Sequence, residues 1–300
     1  MLYCYLTGSA TKHMLTMNKK KTRKEKSRPL HPRLSEIILT AEEENRQILS
    51  VSDFVAFYDI TESYARKMIS DLVETGWLVR VAKGKYQLLP ARTGLDPFPM
   101  GDKFVVACQA YPDSFIAFGS AAEHHGLTLQ VFPTVILASP DKSGSRTIGT
   151  TRVRLVKINA RNYVGFEALN RGPEVKVATV ERTVIDCINR PDLCGGISDL
   201  PEILKRARSK VNVERLLDCL ATYGSKSLSK KVGYLLDYFG YELSQQADVE
   251  LRQNNEGVKT YLFSPRIAGK SAIQHYSKKW RLVVNAPGFF EEVNEQEEQL

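Results

Sequence analysis

Long apolar runs are missing from this chain. No stretch approaches the roughly 20 residues a membrane span needs, so no spanning helix is expected. Cysteine is sparse: Cys4, Cys108, Cys187, Cys194 and Cys219 are odd in number, scattered and without a CxxC pair. Neither a disulfide framework nor a zinc site is expected, and the thiols read as reduced ones in a cytoplasmic protein. There is no HExxH motif, and the glycine pair Gly144 and Gly149 lacks the Lys-Ser/Thr that would make it a phosphate loop. No metal and no cofactor are expected. The opening residues MLYCYLTG are apolar but follow no basic segment, so a signal peptide is not expected either.

Charge is present but unevenly placed. The net charge is +8, and residues 1–33 hold nine Lys and Arg against the single acid Glu25, which equals the whole surplus. That segment has no apolar periodicity and is expected to be a disordered basic arm, able to follow a phosphate backbone or simply solvated. The far end, 291–300, is an acidic tail with five glutamates. At 300 residues the remainder is long enough for two domains.

The most informative stretch runs from Ser50 to Leu89. Ser50 can cap a short helix over Val51–Phe57, Tyr58-Asp59-Ile60 makes a turn, and Thr61 caps a second helix closed by Gly76. On the second helix Ala65, Ile69, Leu72 and Val73 form an apolar stripe, while Ser63, Tyr64, Arg66, Lys67 and Ser70 lie off it. After Gly76 the period becomes alternating. Trp77–Val81 and Tyr86–Leu89 read as strands joined by Ala82-Lys83-Gly84-Lys85. With a first helix from Leu34 to about Glu44, this is the layout of a winged helix-turn-helix over 34–90, with Ile48-Leu49 as a strand pairing with the wing. Arg66 and Lys67 are then placed to reach bases or phosphates of DNA, and Lys83 and Lys85 to act as wing charges. The plainer alternative is a helical hairpin and β-hairpin packed inside a larger core. Between 34 and 90 acids outnumber bases, nine to six, so the DNA reading rests on where the charges sit.

Residues 91–101, with two prolines and two glycines, read as a linker. From 102 to 240 helical and strand patterns alternate, and three helices follow (Ser198–Arg208, Val213–Tyr223 and Ser227–Phe239), giving a mixed α/β domain with a helical C-terminal part. Residues 241–290 read as a smaller appendage with strands at Lys259–Phe263 and Trp280–Val284. The expected class is α+β. Glu123-His124-His125 does not suggest a metal site, because adjacent side chains on a helix diverge; one imidazole is expected to bond a neighbouring strand. Arg182 and Asp186, four apart, read as an ion pair. Two basic stretches, Arg146–Arg161 and Lys205–Lys231, could extend a DNA footprint or meet an acidic partner. Lys226, Lys230 and Lys231 sit at the start of their helix, where cations oppose the macrodipole; function or mere solvation could explain them.

Taken together, these stretches resemble the AbiEi antitoxins of abortive-infection, type IV toxin–antitoxin systems. The resemblance is carried by GWLVRVAKGKYQLLP, AFGSAAEHHGLTLQVFPTVILAS, VATVERTVIDCINRPDLCGGISDL, KKVGYLLDYFG and KKWRLVVN, with SAAEHHGL and ATVERTVIDC the most specific. It spans Leu34 to Asn285 and leaves the basic arm and the glutamate tail without counterparts. The resemblance implies an N-terminal domain that binds operator DNA and represses its own operon. It also implies a C-terminal domain that counteracts a nucleotidyltransferase-like toxin, and no enzymatic activity. Two other classes remain: a stand-alone winged-helix regulator whose α/β domain senses a ligand, and a nucleic-acid enzyme, which would need clustered carboxylates that the sequence does not show.

Overall fold

The computed structural model describes residues 27–95, 101–169, 175–253, 260–264 and 275–285. Its first part is built from α1 (Pro32–Glu43), β1 (Ile48–Ser50), α2 (Val51–Tyr58), α3 (Glu62–Glu74), β2 (Leu78–Ala82) and β3 (Lys85–Leu88). Pro32 opens α1 two residues before the expected start at Leu34, because the first turn needs no amide donor there and the fixed φ suits a helix. At α2 the Ser50 amide donates to the Asp53 carboxylate at 2.6 Å, closing the N-terminus. Asp59 takes the left-handed conformation (φ 51°) that turns the chain into α3, and Thr61 caps α3 by accepting from the Tyr64 amide. Gly76 exits α3 at φ 79°, with the Trp77 amide donating back to the Leu72 carbonyl at 2.8 Å. β1, β3 and β2 form an antiparallel sheet in that order, so Ile48-Leu49 does pair with the wing.

This part has its own core, with Ile38, Phe54, Ala65, Ile69, Leu72 and Leu78 buried. The apolar stripe of α3 differs from expectation at one place. Met68 is inside, and Val73 is 38% exposed, because Val73 lies around the helix on the side that faces the wing.

Residues 27–33, expected to belong to the disordered arm, are attached to the module. Arg28 donates to the carbonyls of Leu89 (2.7 Å), Gly76 (2.9 Å), Gly94 (3.0 Å) and Pro90 (3.3 Å), and lies 4.1 Å from the centre of the Trp77 ring. Guanidinium geometry allows this many partners, where a lysine could not span them. Residues 1–26 and the acidic tail lie outside the described residues.

The second part begins with α4 (Lys103–Ala110) and contains β4 (Phe115–Ile116), α5 (Phe118–His124), β5 (Thr134–Ser139), β6 (Gly144–Ile148), β7 (Thr151–Lys157), β8 (Phe166–Leu169) and β9 (Val175–Ala178). These strands make one mixed sheet in the order β6-β7-β5-β4-β9-β8, with β5/β7 and β4/β9 parallel. Then follow α6 (Val180–Asn189), α7 (Leu200–Ala207), α8 (Val213–Tyr223), α9 (Lys226–Tyr238) and α10 (Gln245–Gln253). A small sheet of β10 (Thr260–Tyr261), β12 (Leu282–Val284) and β11 (His275–Ser277) closes the described chain. It reaches α9, where Gly233 has no room for a Cβ against the Trp280 ring. The fold is α+β.

A buried charge organises the centre of the second part. On α6 the Arg182 guanidinium donates to Asp186 at 3.0 Å and to the carbonyls of Asn162 (2.6 Å) and Val164 (2.8 Å), between the rings of Phe115 and Tyr223. The Tyr223 hydroxyl donates to the other Asp186 oxygen, so helix α8 and the 160–165 turn are fastened to α6. Burial raises the Asp186 carboxyl above its ordinary range, against the pull of Arg182 and the Tyr223 hydroxyl.

The two parts touch directly. Gln109 on α4 accepts both the Gln47 amide (2.8 Å) and the Ile48 amide (2.7 Å) on one side-chain oxygen. Ile48 is buried with the second core, and Val81 and Ala82 pack against it.

Candidate nucleic-acid interface

Helix α3 presents Ser63, Tyr64, Arg66, Lys67 and Ser70 to solvent, as its sequence pattern predicts. Its exposed surface has two flanks. On one side, Arg66, Ser70 and Val73 face Arg80, Lys83 and Tyr86 of the hairpin across a groove of ≈ 770 Å³, with Ser50 and Ser52 at the start of α2. On the other, Tyr64, Lys67 and Asp71 face Leu30 and Arg33 across a second recess of ≈ 570 Å³. The helix therefore stands proud between two walls that both carry arginine. A helix displayed this way fits the B-DNA major groove, with flanking cations at phosphate level.

Arg66 is held by Glu62 at 2.7 Å, one turn away, and both side chains are well exposed. A surface pair of this type is worth only a few tenths of a kcal/mol, so a phosphate or a base edge can displace the glutamate. Lys83 is exposed beside Gly84, whose φ of 71° makes the tight wing turn.

Two residues escaped the sequence reading. Arg80 is exposed on the outer wing strand and lines the groove. Its signal was there, since it is the lone charge inside the apolar run Trp77–Ala82. Arg33, assigned to the arm, lies over the rings of Tyr58 (5.8 Å) and Tyr64 (5.9 Å). No local pattern marks that contact, because it depends on how α1 packs on α3.

Lys85 departs from its expected role. It points away from the groove, donates to the Ala110 carbonyl at the end of α4 and approaches the Tyr111 ring at 5.6 Å. Burial, followed by the nearby charge of Lys142, lowers its pKa. The hairpin twist puts successive polar residues on opposite faces, and Lys85 falls on the face that the second part covers.

The three lysines of α9 also differ from an exposed group. Lys226 is exposed, Lys231 is half-buried, and Lys230 is only 2% exposed. The helix begins one residue earlier than expected, capped by Ser225, which accepts from the Leu228 amide at 3.2 Å. Lys226 and Lys230 share one face, and Lys231 turns about 100° away.

His125 donates from Nε2 to the Ala178 carbonyl of β9 at 2.6 Å, while His124 meets the Phe104 ring edge-on. Among the described residues no group of three His, Cys, Asp or Glu is arranged to hold a metal. Cys108, Cys187, Cys194 and Cys219 are buried thiols outside any disulfide, and burial pushes Cys219 up to about 11. No described helix is long and apolar enough to cross a membrane.

Comparison with known proteins places this architecture among transcriptional regulators and antitoxins. A family profile described as "Transcriptional regulator, AbiEi antitoxin" matches residues 36–89, and one described as "AbiEi antitoxin C-terminal domain" matches residues 115–238. The chain belongs to the AbiEi antitoxin family. This is a regulatory, non-enzymatic family. The crystal structure of the RV2827C protein from Mycobacterium tuberculosis superposes with a TM-score of 0.62 over 90% of this chain and 97% of that one. At 16% identity, that likeness speaks for the fold alone. No curated protein matches the chain.

Proposed function

We propose that this protein is the antitoxin of a type IV toxin–antitoxin system, acting in the cytoplasm as a repressor of its own operon and as the counterweight to a nucleotidyltransferase-like toxin. The part spanning 27–95 would be a winged helix-turn-helix that binds operator DNA, and the part from 102 onward the antitoxin domain. One observation carries the DNA reading: Arg66 and Ser70 of α3 share a single open groove with Arg80 and Lys83 of the hairpin. A helix inserted in the major groove would bring Arg66 and Lys67 to base edges, Ser63, Tyr64 and Ser70 to the groove walls, and Arg80 and Lys83 to the backbone. The antitoxin role rests on family membership, with Lys226, Lys230 and Lys231 of α9 as the candidate functional residues.

The test uses the full chain, a DNA fragment from upstream of its gene, and a scrambled fragment of equal length. Binding should favour the upstream fragment, and Arg66→Ala should remove that preference. Equal affinity for both fragments would reject the operator reading. Co-expression with the product of a neighbouring nucleotidyltransferase-like gene should restore growth. Failure to restore growth would reject the antitoxin reading independently.

A further inference from the structure

Lys230 is a charge that the fold leaves unbalanced. Lys230 is 2% exposed, yet among the described residues it has neither a hydrogen bond nor an ion pair. Its charged neighbours repel it: Lys226 one turn before on the same helix, and Arg281 from the turn entering β12. The acid further along α9, Asp237, is taken by Lys279 at 2.9 Å and by the Trp280 indole at 3.0 Å. Burying an unpaired cation costs stability, and two like charges one turn apart add to that cost. Lys226 also sits in the first turn of α9, where a cation opposes the helix dipole. Three costs at one place, with no compensating anion among the described residues, describe a site that an anion completes.

The same face continues into aromatic rings. Tyr234 follows Lys230 by one turn, with its hydroxyl 3.5 Å from His275 Nε2 and the two rings 6.3 Å apart. Tyr238 follows one turn later, stacked on Tyr234 at 6.2 Å and 39% exposed. Cations that lead into the exposed rings of Tyr238 and His275 suit a ligand with a polyanionic end and a flat, stackable end. The geometry points to a binding site for a nucleoside polyphosphate, with its phosphates among Lys226, Lys230 and Arg281 and its base against Tyr238 and His275. This site lies on a different part of the chain from the α3 groove and does not depend on the DNA reading.

The experiment is calorimetric titration of the full chain with each of the four ribonucleoside triphosphates, and with sodium tripolyphosphate as the probe for phosphate alone. At least one nucleotide should bind, more tightly than tripolyphosphate. Lys230→Gln and Arg281→Gln should each weaken that binding roughly tenfold or more, the scale of a lost charge-assisted contact. Tyr238→Ala should weaken the nucleotide but not tripolyphosphate. Thermal melting gives the second readout. Lys230→Met keeps the buried stem and removes the charge, so it should raise the melting temperature of the free protein and abolish the shift caused by nucleotide. No binding of any nucleotide at about millimolar concentration would overturn the proposal. Tripolyphosphate binding as tightly as the best nucleotide would also overturn it, as would a Lys230→Met protein that melts lower than wild type, since the lysine would then be structural.

Discussion

Lys85 donates its hydrogen bond to the carbonyl oxygen of Ala110, so a lysine from the wing hairpin ends on the last turn of α4. The helix C-terminus carries partial negative charge, and a cation there is favourable. The two wing lysines therefore have different surroundings although only Gly84 lies between them. Lys83→Ala should weaken binding to all DNA about equally and reduce the salt slope by about one. Lys85→Ala should leave the salt slope alone and cost stability of about 1 kcal/mol. Gel shifts over a salt series, paired with denaturant melts, separate the two. Equal loss of affinity from both would return Lys85 to the DNA face.

Arg66 is occupied by Glu62 in the free protein. Arg66→Ala should weaken operator binding by roughly 1–3 kcal/mol if the guanidinium reads a base, while the fold is untouched because the side chain is exposed. Glu62→Gln should act in the opposite sense. It frees Arg66 and removes a negative charge from the groove, so affinity should rise, most visibly at low salt. An unchanged affinity in Glu62→Gln, alongside a loss in Arg66→Ala, would mean that the ion pair persists in the complex.

Arg28 draws a boundary inside the basic arm. Its guanidinium joins the carbonyls of Gly76, Leu89, Pro90 and Gly94, so it belongs to the folded module. Deleting residues 1–26, which hold seven of the nine N-terminal cations, should leave the melting temperature unchanged and lower affinity for every DNA sequence. Arg28→Ala should instead destabilise the module by about 1–3 kcal/mol, because several carbonyls lose a charged donor at once. A deletion that melts early would show that the arm packs on the module beyond Arg28.

The contrast between what was legible in the sequence and what was not has a physical pattern. Helix α8 keeps the expected range Val213–Tyr223, with Asn212 and Gly224 closing its two ends and its buried positions in helical period. The hairpin was read for the same reason: Gly84 and the alternating residues act locally. Val73 and Lys230 were misjudged because periodicity reports a helix's own faces and is silent about which neighbour covers them. β6 was missed because four of its five residues are exposed and leave no alternation, and α10 because its only apolar residues, Ala247, Val249 and Leu251, stand two apart and show no clear helical stripe. In the candidate site, Arg66, Ser70 and Lys83 were legible from their own elements. Arg33 and the turn of Lys85 toward α4 depend on packing between distant segments.

Arg182 supplies a stability test in the second part. Its guanidinium and Asp186 are both nearly sealed from water and share Tyr223. Removing one partner strands the other, so Arg182→Ala should cost roughly 3–5 kcal/mol and lower protection through loss of folded protein. Replacing Arg182 and Asp186 together with apolar residues of similar volume should recover part of that loss, measured by denaturant midpoints. If the double variant is as unstable as the sum of the singles, the carbonyls of Asn162 and Val164 are the partners that matter.

The last prediction is that repression and antitoxicity come apart, although the two parts of the chain are in contact. The contact is small in its chemistry: Gln109 with two amides and the Asn45 carbonyl, Lys85 with one carbonyl, and Ile48, Val81 and Ala82 against the second core. Arg66, Ser70, Arg80 and Lys83 line the α3 groove and make none of those contacts, so changes there need not disturb the second part. A full-length Arg66→Ala, Lys83→Ala variant should fail to repress its promoter and still protect cells from the toxin, with a melting temperature close to wild type. A fragment beginning at Gly101 should also protect, but it should melt lower, because Gln109 loses the amides it satisfies and the second core loses Ile48. The variant removes DNA binding without cutting the contact, and the fragment removes both. Protection kept by the variant and lost by a fragment that circular dichroism shows to be folded would assign antitoxicity to the joined pair of domains. Protection lost by the variant itself would tie antitoxicity to DNA binding and defeat the two-function reading.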